Sequence, residues 1–207
     1  MILNYKLVIS IAAVILTIVG YFPYIQDILR KKTIPHTFTF FIWGFASLIT
    51  YALQVLGGAG VGSLVTLAAS LICIGIFFLG LKYGNKEITR SDIIFFVLSL
   101  FALFLWLVVK QPAWSVGLII LVDILGFSPT VRKSWNKPYS ETLFTYELCV
   151  FRHGLSILAL QEFNILTLLY PVVWTLANFI FSILLIIRRR KIPPPLAQAV
   201  STLPHID

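Results

Sequence analysis

Two stretches, Gly20-Tyr21-Phe22-Pro23 and Gly126-Phe127-Ser128-Pro129, decide how this chain is organised. Each closes an apolar run and leads into a basic loop, Arg30-Lys31-Lys32 in the first case and Arg132-Lys133 with Lys137 in the second. A second proline follows each loop, with hydroxyl residues two and four places on: Pro35, Thr37 and Thr39, then Pro138, Ser140 and Thr142, ending in Phe41 and Phe144. The same features in the same order mark an internal repeat.

Working outward, apolar runs broken by Gly, Pro or charge predict helices at 5–29, 36–56, 60–82, 92–110, 113–134, 140–160 and 163–187. Hydrophobic residues make up 59% and charged residues 12%, against about 25% charged in soluble domains. That much apolar surface does not fit a water-soluble core. At about 20 residues per crossing, seven crossings leave room for short loops and none for a soluble domain. Lys6 and the apolar stretch Leu7 to Val19 resemble a secretory signal, but no small-x-small cleavage site follows, and the run continues to a basic stop. Beyond Arg188-Arg189-Arg190-Lys191, residues 192–207 open on Pro193-Pro194-Pro195 and are expected to form a disordered cytoplasmic tail.

The loops after the first, third, fifth and seventh helices carry thirteen of the sixteen Lys and Arg residues. Cytoplasmic loops retain such cations, so the N-terminus is expected outside and the C-terminus in the cytoplasm. This accounts for the net charge of +8 as topology rather than nucleic-acid binding. Cys73 and Cys149 lie inside apolar runs, which argues against a disulfide framework or a cysteine metal site. No phosphate-binding glycine loop, paired-His metal motif or Gly-x-Ser-x-Gly elbow is present. The expectation is therefore no enzyme, no metal and no cofactor.

Two halves of three helices in one orientation need an odd number of crossings between them, which makes 92–110 a linker between repeats at 5–82 and 113–187. The predicted fold is all-α and membrane-integral, in a three-plus-one-plus-three plan. At this point the chain resembles the SWEET, semiSWEET and PQ-loop transporters over about residues 5 to 190, through that plan, the outside N-terminus and the first-helix prolines with their basic loops. It departs from the PQ-loop pattern in that Tyr24 and Thr130, not glutamine, follow the prolines. The segment Asp123 to Pro129 is similar to the fifth helix of proton-coupled lysosomal PQ-loop transporters.

Prolines within helices remove a hydrogen bond and kink them, so Pro23 and Pro129, at matching places in the repeat, are candidate hinges. Ionisable groups in a membrane are costly and default to function; here they are Asp123, Glu147, Arg152 and His153. On a straight helix Glu147 and Arg152 point about 140° apart and need separate partners. Three readings stay open: a structural charge network such as Asp123 with Arg152, a cluster in which Arg152 and the carboxylates coordinate an anionic or zwitterionic solute, and proton coupling through Asp123, Glu147 or His153. The resemblance implies further pocket residues: Asn178 with Trp174 on the seventh helix, Ser70 in place of the expected asparagine on the third, and Trp43 as an aromatic wall. Trp106, Trp114 and Trp135 near helix ends read as interfacial anchors.

The expected function is alternating-access transport of a small polar solute such as a sugar, an amino acid or a vitamin-like molecule, with the bilayer and that solute as partners and one chain able to form one pore. A membrane receptor or accessory binding protein on the same fold is one alternative, and a structural membrane subunit is another. Short loops point to a bacterial inner membrane.

Overall fold

A computed structural model describes residues 5–31, 35, 37–84 and 88–193, without the side chains of 92, 128–130, 132, 133 and 140. The expected tail from 194 onward and the side chain of Pro129 therefore lie outside the described residues.

Seven α-helices form among the described residues: α1 Tyr5–Leu29, α2 Thr37–Leu56, α3 Leu64–Tyr83, α4 Arg90–Leu107, α5 Pro112–Asn136, α6 Leu143–Ala159 and α7 Ile165–Lys191. A 3-10 turn, Gly60–Ser63, leads into α3, and another, Pro138–Ser140, precedes α6. Helix ends fall within four residues of the apolar runs, because the breakers are the residues that cannot continue a helix in an apolar setting. Asn164 caps α7: its side chain accepts from Leu166 N at 3.0 Å, while the Thr167 hydroxyl accepts from Asn164 N at 3.0 Å.

Among the described residues, four helical stretches are long and apolar enough to cross a bilayer: Tyr5–Leu29, Thr37–Leu56, Gly60–Tyr83 and Ile165–Lys191. This is fewer than the seven crossings the apolar runs predict. The apolar parts of α4 and α5 are shorter, Ile93–Leu107 and Pro112–Phe127. Helix α6 has 17 residues, about 25 Å at 1.5 Å per residue, against a hydrocarbon core of about 30 Å. It also carries Glu147, Arg152 and His153, so both its length and its composition fall short.

Burial is inverted relative to a water-soluble protein. Ile11, Ile15, Phe78, Phe104, Leu121 and Ile180 face outward, while Ser10, Thr17, Thr50, Gln54, Ser70 and Ser156 are buried. Apolar side chains gain little by leaving lipid, so close packing and interhelical hydrogen bonds must hold such helices together. The α2–α3 contact shows both. A Cβ on Gly44 would lie 2.8 Å from Ile74 Cγ1, and Ser70 Oγ donates to the Gly44 carbonyl at 2.8 Å.

Helix α3 packs on both α1 and α2, and α7 packs on both α5 and α6. Helix α1 lies along α6, α2 meets α5 and α7, and α4 rests against α5 and the side of α2. One apolar core joins Ala46, Ile49 and Leu53 of α2 to Ala102 of α4, Val116, Ile119 and Ile120 of α5, and Tyr170 of α7. Trp106 packs against this core and is no free anchor, whereas Trp114 and Trp135 are exposed.

Candidate functional site

Buried positions on α5 run Val116, Ile119, Ile120, Asp123 and Phe127, and on α7 Tyr170, Asn178 and Phe181 with the half-buried Trp174 between them. These spacings of three and four residues each place one side of a helix inward, and the two sides meet: the Phe127 ring lies 5.7 Å from that of Trp174 and 5.0 Å from that of Phe181. On α6 the inward side carries Arg152, His153 and Ser156. His153 stacks on Trp174 at 6.5 Å and meets the edge of Tyr170 at 6.1 Å.

Asp123 is 3% exposed and Arg152 8%. No ion pair joins them. The Asp123 carboxylate faces the Trp174 indole, yet neither Asp123 Oδ1 nor Trp174 Nε1 completes a hydrogen bond. Arg152 Nε and Nη1 are also without hydrogen-bond partners. Its guanidinium instead lies over the Tyr21 ring of α1, 5.6 Å from the centroid, and next to Cys149. The Tyr21 hydroxyl lies 3.9 Å from Cys73 Sγ of α3, and the Tyr170 hydroxyl 3.4 Å from Ser47 Oγ of α2. Cys73 and Tyr170 are each within electrostatic reach of both Asp123 and Arg152. The two opposite charges thus flank one polar and aromatic centre. Side chains from α1, α2, α3, α5, α6 and α7 build it, and α4 contributes none of those named.

Other expected site residues take separate places. Asn178 is buried and donates Nδ2 to the Trp174 carbonyl of its own helix at 2.7 Å. Trp43 packs edge-on against Phe40 at 5.8 Å, with Nε1 3.5 Å from where a Cβ on Gly126 would stand. Ser70 uses its hydroxyl to join α3 to α2. Glu147 is only partly buried and makes no hydrogen bond or ion pair with Asp123, Arg152 or His153. Pro23 lies within α1. Asp123 and Arg152 are buried, and a recess of about 420 Å³ opens elsewhere, beside Tyr51, Val55, Gly58 and Gln161 at the α2–α3 and α6–α7 loops.

Sequence reasoning did not find Tyr21, Cys73 or Tyr170. Tyr170 stands one turn before Trp174 on the same side of α7, a spacing that could have pointed to it. Tyr21 and Cys73 join the centre only through tertiary packing. Among the described residues no group of His, Cys, Asp and Glu could hold a metal ion.

Compared with known proteins, the chain matches no family model, no curated protein and no solved structure.

Proposed function

We propose that this chain is an integral membrane transporter whose solute is a small zwitterion, with amino acids as the leading class. The observation that supports it is the centre between Asp123 and Arg152. Two opposite charges, each more than nine-tenths buried, leave hydrogen-bonding atoms unpartnered and do not neutralise each other. An uncompensated buried charge costs several kcal/mol. A solute that offers a carboxylate to the Arg152 N–H groups and an ammonium to Asp123 Oδ1 would satisfy both at once. A sugar, the usual solute of the transporters this chain resembles, supplies neither charge. His153, Trp174, Tyr170 and Tyr21 provide an aromatic wall suited to an uncharged side chain.

The transport reading draws on the arrangement of helices. One three-helix unit, α1 to α3, supplies Tyr21, Ser47 and Cys73, and the other, α5 to α7, supplies Asp123, Arg152, His153, Tyr170 and Trp174. A site between two such units opens to one side or the other as they rock, which is alternating access. Under this reading α4 is the linker that keeps the two units parallel, α4 to α6 cross the membrane as shorter or polar-lined spans, and the basic loops face the cytoplasm. Pro23 and Pro129 serve as hinges, with Asn178 and Trp43 as outer walls of the pathway.

The test is thermal stabilisation of the purified protein by amino acids, sugars, nucleosides and vitamins. A neutral amino acid raises the unfolding temperature of the wild type and leaves that of Arg152→Met unchanged. Stabilisation by a sugar alone, retained in Arg152→Met, would contradict the reading.

A further inference from the structure

Helix α7 contains a proline, Pro171, buried between Tyr170 and Trp174 of the centre. A proline has no N–H to give to the carbonyl four residues back, and its ring pushes that carbonyl aside. The carbonyl concerned is that of Thr167. A partner for it comes from another helix: Gln54 of α2, fully buried, donates Nε2 to Thr167 O over a long 3.5 Å. Gln54 Oε1 has no partner, so no second bond holds the amide there. A hydroxyl back-bond marks the same segment: Thr175 Oγ1 donates to Pro171 O at 2.7 Å, a contact that tends to bend helices.

The surroundings give this break a purpose. The α2–α3 loop, Gly57-Gly58-Ala59-Gly60-Val61-Gly62, lies directly on the α6–α7 loop. Asn164 Nδ2 donates to Gly57 O at 2.7 Å, Gln161 N to Ala59 O at 3.1 Å, and Ser156 Oγ to Gly62 O at 2.9 Å. Gly60 has φ of +57°, and a Cβ there would overlap the side chain of Gln161. At the opposite end, Arg188 and Arg189 of α7 donate to the carbonyls of Trp135, Pro138 and Glu141, all in the α5–α6 region. Thr37 likewise donates to Gly80 O within α1 to α3. The three hydrogen bonds from Asn164, Gln161 and Ser156 at the glycine-loop end thus cross between the two three-helix units.

We propose that Pro171 is the hinge of the gate at the glycine-loop end, and that Gln54 is the latch that holds it shut through the carbonyl the proline leaves free. Bending at Pro171 swings the α7 start, Asn164 to Tyr170, away from α2 while Trp174 and Asn178 stay on the lower segment. Opening the gate and separating Tyr170 from Trp174 become one motion. This device rests on the α2–α7 contact and holds whatever the solute.

The experiment measures the distance between spin labels at Leu56 and Phe163, exposed positions on either side of the loop contact, with the full chain in lipid nanodiscs. Gln54→Leu removes the donor at similar size and raises the ratio of separated to closed populations about twofold, the effect of losing one long, weak hydrogen bond. Pro171→Ala supplies the missing backbone N–H, keeps the loops closed and raises the unfolding temperature. Adding Gln54→Leu to Pro171→Ala then changes nothing. A wild-type distribution in Gln54→Leu, or the same opening in the Pro171→Ala background, would overturn the proposal. Failure of Pro171→Ala to fold would do so too, since a pure hinge tolerates a straight helix.

Discussion

Arg152 is enclosed by Tyr21, Cys149 and His153, and two of its guanidinium nitrogens, Nε and Nη1, have no acceptor. If that charge existed to hold helices together, removing it would damage the fold. If it exists to meet a solute, removing it relieves a cost. Arg152→Met and Asp123→Asn are therefore expected to unfold at the same temperature as the wild type or higher, by about 2–4 °C for each kcal/mol recovered. Both lose stabilisation by amino acids. Scanning calorimetry in detergent checks this, and collapse of either variant would mean that the charges are structural. The presence of these charges was legible in the sequence, since ionisable residues stand out in apolar runs. Their failure to pair was not, because it depends on where side chains of α5 and α6 come to rest across α7. Asn178 was legible as a buried polar group, while its use of the Trp174 carbonyl follows from side-chain orientation that no spacing rule supplies.

At the scale of elements, the glycines of the α2–α3 loop are explained by what lies on them. A Cβ on Gly62 would stand 2.8 Å from the backbone nitrogen of Leu160, whereas one on Gly75 in α3 meets nothing within 4 Å. Gly62→Ala is accordingly expected to destabilise the protein by about 1–3 kcal/mol, the usual cost of overpacking, and Gly75→Ala, in the interior of α3 with open space around it, to stabilise it by up to about 1 kcal/mol. Unfolding temperatures of the two variants decide it, and equal values would show that the loops do not press together as described. Helix positions were readable from the sequence because lipid-facing runs end at Gly, Pro and charge. The seating of one loop on another was not readable, since it joins residues 57–62 to 156–164 through contacts that leave no periodic trace. Helix α6 shows a different limit: its apolar run reads as a span, yet the helix has 17 residues because Thr142 and Leu160 adopt extended backbone at its two ends.

For the whole molecule, thirteen of the sixteen basic residues stand in the sequence around the ends of alternate apolar runs, and the proposed orientation follows from them. A cytoplasm-dependent reporter fused after Lys191 is expected to be active, and an export-dependent one silent; the reverse would invert the topology and place the glycine-loop gate on the cytoplasmic side. The sequence similarity between the Gly20–Pro23 and Gly126–Pro129 stretches is what suggests a repeat. In the structure α3 packs on both α1 and α2, and α7 on both α5 and α6, contacts that sequence alone does not reveal. Transport of a zwitterion across the bilayer, the function proposed above, is measured by counterflow into proteoliposomes. Vesicles holding the wild type and preloaded with an unlabelled neutral amino acid should accumulate the labelled form from outside. Vesicles holding Arg152→Met should not, although that protein is folded. Binding without accumulation in the wild type, or equal accumulation by both proteins, would contradict the account.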